Sequence, residues 1–211
     1  MCINYQPIRL ANISKLGMAA PTFDVVNEAW PNYLCPIIVS GDSDPEWQQA
    51  KFGLLPNCAN SKDYKANTVN ACLESISSLY SYSQSWMRNQ FTLIPLEAFY
   101  EPNYLTGNAI RWRIEREDQE PFTIAGIWDS WSDSSETIRS FSILTMNADN
   151  HPIMQQFHKS GKEKRSPIII PPELRKDWLT TDHRTAHELL HEIDATQFTA
   201  YPFPIPPRES K

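Results

Sequence analysis

Apolar residues along the chain fall in short runs rather than long amphipathic stripes. The runs are Leu34 to Val39, Phe91 to Ile94, Pro121 to Trp128, Ser140 to Met146 and Pro167 to Ile170. Each has strand length and is rich in β-branched or aromatic residues, and each is predicted to be a strand. Helical spacing is rarer. It is predicted over Ala71 to Met87, with Leu73, Ile76, Leu79 and Tyr80 on one side, and over Pro172 to Leu179, where Pro172 suits a first helical turn. A third helix is predicted over Thr185 to Ile193, with Ala186, Leu189, Leu190 and Ile193 as its stripe. The Pro-rich stretch from Pro202 to Pro207 is expected to be extended. There is no internal repeat and no linker. The expected fold class is therefore α+β: a single domain over residues 1–211, with a mixed or antiparallel, barrel-like β core and a few peripheral helices.

Composition narrows the setting. The 211 residues carry a formal net charge of −6, which argues against a broad cationic surface for nucleic acid but leaves room for a local basic patch. No run approaches the roughly 20 apolar residues of a membrane span, and no basic segment followed by an apolar one marks an export signal. The expectation is a cytoplasmic, monomeric protein with no membrane partner. Cys2, Cys35, Cys58 and Cys72 form no CxxC pair, so they are expected to be reduced thiols, with no metal and no cofactor among them.

Cys2 follows Met1 directly. Removal of Met1 before a small residue leaves an α-amine and a thiol on adjacent carbons. The amine has an ordinary pKa of about 7.7–8.0, so much of it is neutral near pH 7. It can add to an aldehyde to give an imine, which the neighbouring thiol then closes to a five-membered thiazolidine. A competing motif is His187-Glu188-Leu189-Leu190-His191, the HExxH pattern of zinc proteases. On a helix its two imidazoles would share a face, with His183 one turn earlier, but no third ligand follows at a recognisable spacing. An apolar stripe explains the same segment as a docking helix, and a metal site is not expected.

Several blocks resemble the SOS response-associated peptidase family, whose members begin Met-Cys. Lys51 to Pro56 is similar to its WGLIP segment, Asn70 to Ser75 to its NARxET motif, and Pro95 to Glu101 to its PADGFYEW motif. Phe122 to Trp128 resembles its FAGLW strand. Ile143 to Thr145, then His158, then Lys164 to Ile170, resemble its IITT…H…RMPVIL region. The blocks occur in the family's order from about residue 1 to residue 172.

The resemblance implies covalent capture of abasic sites in single-stranded DNA, a lyase-like or peptidase-like chemistry centred on Cys2. It implies that Asn70 holds the N-terminal amine or a sugar oxygen through its amide. Glu101 would move protons, opening the sugar ring and expelling water from the carbinolamine, with a pKa raised by burial. His158 would be a second proton carrier or would stabilise the sugar oxygen. Self-release of a propeptide, seen in the family, would here concern only Met1. Basic candidates for DNA contact are Arg88, Arg111, Arg113, Lys159, Lys162, Lys164 and Arg165, with Gly161 inside the densest cluster. The chain departs from the pattern at Ile3-Asn4, where the family has Gly-Arg, and at Cys72, where it has Arg. Asn57 or Cys58 stands for its Trp and Glu97-Ala98 for its Asp-Gly. These losses keep a second expectation open: a protein of the same fold that binds DNA or another ligand without crosslinking.

Overall fold

The computed structural model describes residues 2–205, built on one mixed sheet of eleven strands. They are β1 (Tyr5–Pro7), β2 (Leu34–Ser40), β3 (Pro45–Phe52), β4 (Asn70–Cys72), β5 (Phe91–Asn103), β6 (Ile110–Arg116), β7 (Phe122–Ser132), β8 (Thr137–Asn147), β9 (Arg165–Pro167), β10 (Ile169–Ile170) and β11 (Phe198–Pro202). The short helices α1 (Ser83–Met87) and α2 (Arg175–Thr180) lie against it. The path runs β10-β7-β8-β3-β2-β5-β6-β11, and a further pairing of β5 with β7 bends it back on itself. The result is a partial ring rather than a complete barrel, within the α+β class that the sequence predicts. Pairing is antiparallel except where β3 and β4 run parallel to β8.

The apolar runs are continuous because their strands are buried on both faces. Along β2, Cys35, Ile37 and Val39 enter one cluster while Ile38 enters the other. In β7 the same division separates Phe122 and Ile124 from Ala125 and Ile127. Trp178 and Leu179 of α2 and Trp86 of α1 cover the second cluster, with the Trp178 indole N–H donating to the Thr92 carbonyl. Gly126 is required by close approach: a Cβ there would lie 2.4 Å from Ile94 Cδ1 and 2.7 Å from the Ser142 carbonyl oxygen.

Two predicted helices change character. Over Ala71 to Met87, only Ser83–Met87 is α-helical, after a 3-10 turn at Leu73–Ser75. Asn70–Cys72 is drawn into the sheet beside Ile143, Leu144 and Thr145. Serines then divert the backbone, Ser78 Oγ donating to the Ser75 carbonyl, for example. Leu79 and Tyr80, assigned to the buried stripe, are exposed. Over Thr185 to Ile193, a 3-10 turn covers Ala186–Leu189 and then breaks, because His191 bridges to Ile169. His187 and His191 therefore do not share a helical face. The third prediction, over Pro172 to Leu179, is realised as a 3-10 turn leading into α2. Of the Pro-rich stretch, Pro206 and Pro207 lie outside the described residues.

Candidate active site

Strand β5 builds the site. Its first half, Phe91 to Leu96, pairs with β7, and its second half, Ala98 to Asn103, pairs with β6. Between the halves Glu97 is bulged: β1 pairs Gln6 with Ala98 and then Pro7 with Leu96. The buried Glu97 carboxylate gathers the N-terminal segment, accepting from Gln6 Nε2 at 3.0 Å, the Arg9 backbone N–H at 3.1 Å and Asn12 Nδ2 at 2.7 Å. Arg9 Nε lies 2.6 Å from it as an ion pair. This ties β1, and hence the residues before it, to one register on β5.

Cys2 is fully buried at the start of that segment. Asn70 Nδ2 donates to the Cys2 carbonyl oxygen at 2.9 Å. Asn70 is not a helix cap: β4 holds it extended opposite Ile143. Its Oδ1 is buried with no hydrogen-bond partner among the described residues. The Cys2 thiol lies 3.7 Å from the Asn4 carbonyl oxygen, which also accepts the Tyr100 backbone N–H. Burial, and then the nearby Glu101 carboxylate, push the Cys2 thiol well above its ordinary range.

Glu101 is near the end of β5, still paired opposite Trp112 and 1% exposed, not in a turn. Burial raises its pKa to about 7. His158 Nε2 lies 3.5 Å from Glu101 Oε2. Burial, with the positive charge of Lys164 contributing, lowers the His158 pKa to about 4. The two groups thus meet neutral solution as a carboxyl poised to titrate and an imidazole that stays uncharged. His158 takes a left-handed backbone, φ +62°, a conformation uncommon for non-glycine residues, among which Asn, Asp and His adopt it most readily. Its N–H donates to the Pro102 carbonyl, and Lys164 Nζ donates to the carbonyls of Phe157, His158 and Lys159. These bonds hold the imidazole at the end of β5.

The basic candidates divide by what they touch. Arg111 lies 3.5 Å over the Tyr100 ring and donates to Asn4 Oδ1 and Glu28 Oε1. Arg113 bonds Glu115, Gln6 and the Tyr100 hydroxyl. Arg88 pairs with the buried Asp129, and Arg165 with Glu74, Glu163 and the Thr145 carbonyl. Lys164 is spent on the His158 loop. Lys159 and Lys162 are open to solvent in that loop, which Gly161 turns at φ +73°. Arg165 also lies beside Cys72, the position where the resemblance expects Arg.

Sequence reasoning singled out Arg111 but missed its network with Asn4, Glu28 and Tyr100, because those residues lie in separate segments brought together by the β1–β5–β6 pairing and the Tyr5–Ala29 bridge. It also missed His151, whose ring Nδ1 accepts from the Ile153 and Met154 backbone N–H groups while Nε2 donates to the Ile193 carbonyl. That histidine anchors the segment leading to His158. Among the described residues no group of three or more His, Cys, Asp or Glu side chains is disposed to hold a metal ion. Among those residues no helix is long and apolar enough to cross a membrane.

Comparison with known proteins bears on the family and the fold. A curated relative, the abasic site processing protein YobE of Bacillus subtilis (strain 168), is 25% identical over 190 residues, covering 88% of this chain and 81% of its own. A crystal structure of a protein from Bordetella bronchiseptica superposes with a TM-score of 0.91 at 30% identity, over 97% of this chain and 100% of that one. A protein from Bacteroides thetaiotaomicron shares the fold with a TM-score of 0.80 at 22% identity, over 95% and 91% of the two chains. The profile of the SOS response associated peptidase family matches residues 6–204, almost the whole length over which the sheet and its site are built, and the chain belongs to that family.

Proposed function

We propose that the protein captures abasic sites in single-stranded DNA covalently, with Cys2 as its N-terminal residue once Met1 has been removed. The observation that carries this reading is the convergence of a buried Cys2, held at its carbonyl by Asn70, with a Glu101 carboxyl of pKa about 7 that faces the His158 imidazole at 3.5 Å. The name of the Bacillus subtilis relative supports abasic DNA as the substrate.

The chemistry follows from the groups present. The neutral α-amine of Cys2 adds to the C1′ aldehyde carbon of the ring-opened sugar, and the aldehyde oxygen takes up a proton to give a carbinolamine. Loss of that hydroxyl as water leaves an imine. The Cys2 Sγ then bonds to the imine carbon while the thiol proton passes to nitrogen, closing a thiazolidine with net release of one water. Glu101 in its protonated form supplies the proton that opens the furanose and the one that makes water the leaving group. His158, uncharged in this range, receives protons in return. Since burial keeps Sγ protonated, the amine attacks first and the thiol second. Cys2 lies inside the protein, so the abasic sugar must turn out of the stack, still joined to its strand, to reach it, which an unpaired strand permits at lower cost than a duplex. Lys159 and Lys162 are the cations left for the phosphates beside it.

Met-free protein incubated with an abasic single-stranded oligonucleotide should give a heat-stable, slower band on a denaturing gel. The Cys2→Ala variant should give none. Equal adduct from both proteins would overturn the proposal.

A further inference from the structure

We infer that Asn103 is a substrate-binding residue, its side-chain amide donating to a hydroxyl oxygen of the ring-opened abasic sugar. This rests on the function proposed above and adds to it the group that recognises the sugar itself.

Asn103 is the last residue of β5 and is 3% exposed. Its Oδ1 accepts the Leu105 backbone N–H at 2.9 Å, which fixes which way the amide points. The Nδ2 group is buried and has no hydrogen-bond partner among the described residues. A buried amide donor left unpaired costs on the order of 1–3 kcal/mol, so such a group calls for a partner. Strand alternation puts Asn103 on the same face of β5 as Glu101, about 7 Å further along. The bridge from Asn103 to Phe157, with the His158 N–H on the Pro102 carbonyl, brings the His158 loop against the same strand end. The unpaired Asn70 Oδ1 belongs to the same group of residues, which therefore holds an orphan acceptor beside Cys2 and an orphan donor beyond Glu101. A polyol has both complements: hydroxyl hydrogens for Asn70 and hydroxyl oxygens for Asn103. Phosphate does not fit the donor as well, since Nδ2 is enclosed, while Lys159 and Lys162, open to solvent in the adjoining loop, offer a strongly hydrated phosphodiester a place outside.

The test uses two oligonucleotides that cannot form an adduct. One carries an abasic residue reduced with borohydride, which keeps the sugar hydroxyls and lacks the aldehyde. The other carries a three-carbon spacer, which lacks the hydroxyls. Wild-type protein should bind the first at least tenfold more tightly, since its hydroxyls reach both orphan groups and one buried hydrogen bond is worth about that factor. In Asn103→Asp, which keeps the acceptor for Leu105 and deletes the amide donor, the preference should shrink about tenfold, the remainder being what the Asn70 acceptor supplies, and Asn103→Ala should behave alike. Absence of discrimination by the wild type, or an undiminished preference in both Asn103 variants, would overturn the inference. Neither readout depends on crosslinking, so loss of the covalent band on the denaturing gel would count against the Cys2 chemistry alone.

Discussion

The side-chain amide of Asn70 reaches across the sheet to the carbonyl oxygen of Cys2, joining residues 68 positions apart in sequence with a buried bond of 2.9 Å. A parallel strand puts it there: β4 lies beside Ile143 to Thr145 of β8, and the N-terminal segment comes in along β5. Asn70→Ala should therefore slow adduct formation about tenfold by releasing Cys2, and should cost about 1–3 kcal/mol of stability through the unpaired carbonyl. Single-turnover crosslinking and urea denaturation check the two effects. An unchanged crosslinking rate would remove Asn70 from the positioning of Cys2.

The pH profile of crosslinking should have a maximum near neutrality. The α-amine of Cys2 must be neutral, so the rate rises with pH toward about 7.7–8.0. Glu101 must be protonated to act as the acid, so activity falls as pH rises through about 7. Glu101→Gln should remove the alkaline fall and lower the maximum by about a hundredfold. His158, with its pKa lowered to about 4, should contribute only an acid limb below that range.

Lys164 should matter through the loop it holds rather than through DNA. Lys164→Met leaves the carbonyls of Phe157, His158 and Lys159 without their shared donor. It should lower stability by about 1–3 kcal/mol and reduce crosslinking with a small aldehyde as much as with DNA. A defect confined to DNA would mean that Lys164 contacts phosphate instead.

Lys159 and Lys162 should show the opposite behaviour. Their joint replacement by Ala should leave thermal stability unchanged. If both contact phosphates of a single strand, the slope of log affinity against log salt should become shallower by about 1.4. Fluorescence anisotropy with an unmodified oligonucleotide across a salt series measures it.

Gly126→Ala tests the close approach of β7 to its neighbours. A methyl at 2.7 Å from the Ser142 carbonyl oxygen cannot be relieved by a side-chain rotation, although the Ile94 Cδ1 contact can. The expected loss is about 1–3 kcal/mol, read as a lower denaturant midpoint at constant slope.

The strands buried on both faces were legible in the sequence because apolarity alone marks them, as Leu34 to Val39 and Ser140 to Met146 do. Strands with polar alternation were not: β6, Ile-Arg-Trp-Arg-Ile-Glu-Arg, offers few apolar residues, and its place is set by β5 and β11 on either side. Helical spacing misled where serines supplied local hydrogen bonds after Asn70, and where the bridge of His191 to Ile169 ended a turn. The order of motif blocks singled out Cys2, Asn70, Glu101 and His158, and the structure brings Asn70 to Cys2 and His158 to Glu101. Asn103 carries no motif. Its orphan donor exists only because the β5 end is enclosed by the Phe157 loop, a relation between segments more than fifty residues apart that no local pattern encodes.

Burial of Cys2 bears on how long the protein lasts as a reagent. Oxidants and alkylating agents react with a cysteine as its thiolate, and access governs the rest. A side chain with no exposed surface and a thiol pushed far toward its protonated form presents neither. Peroxide that would carry an exposed cysteine to sulfenic and then sulfinic acid should leave the Cys2 thiol intact while it modifies the more exposed Cys58 and Cys72.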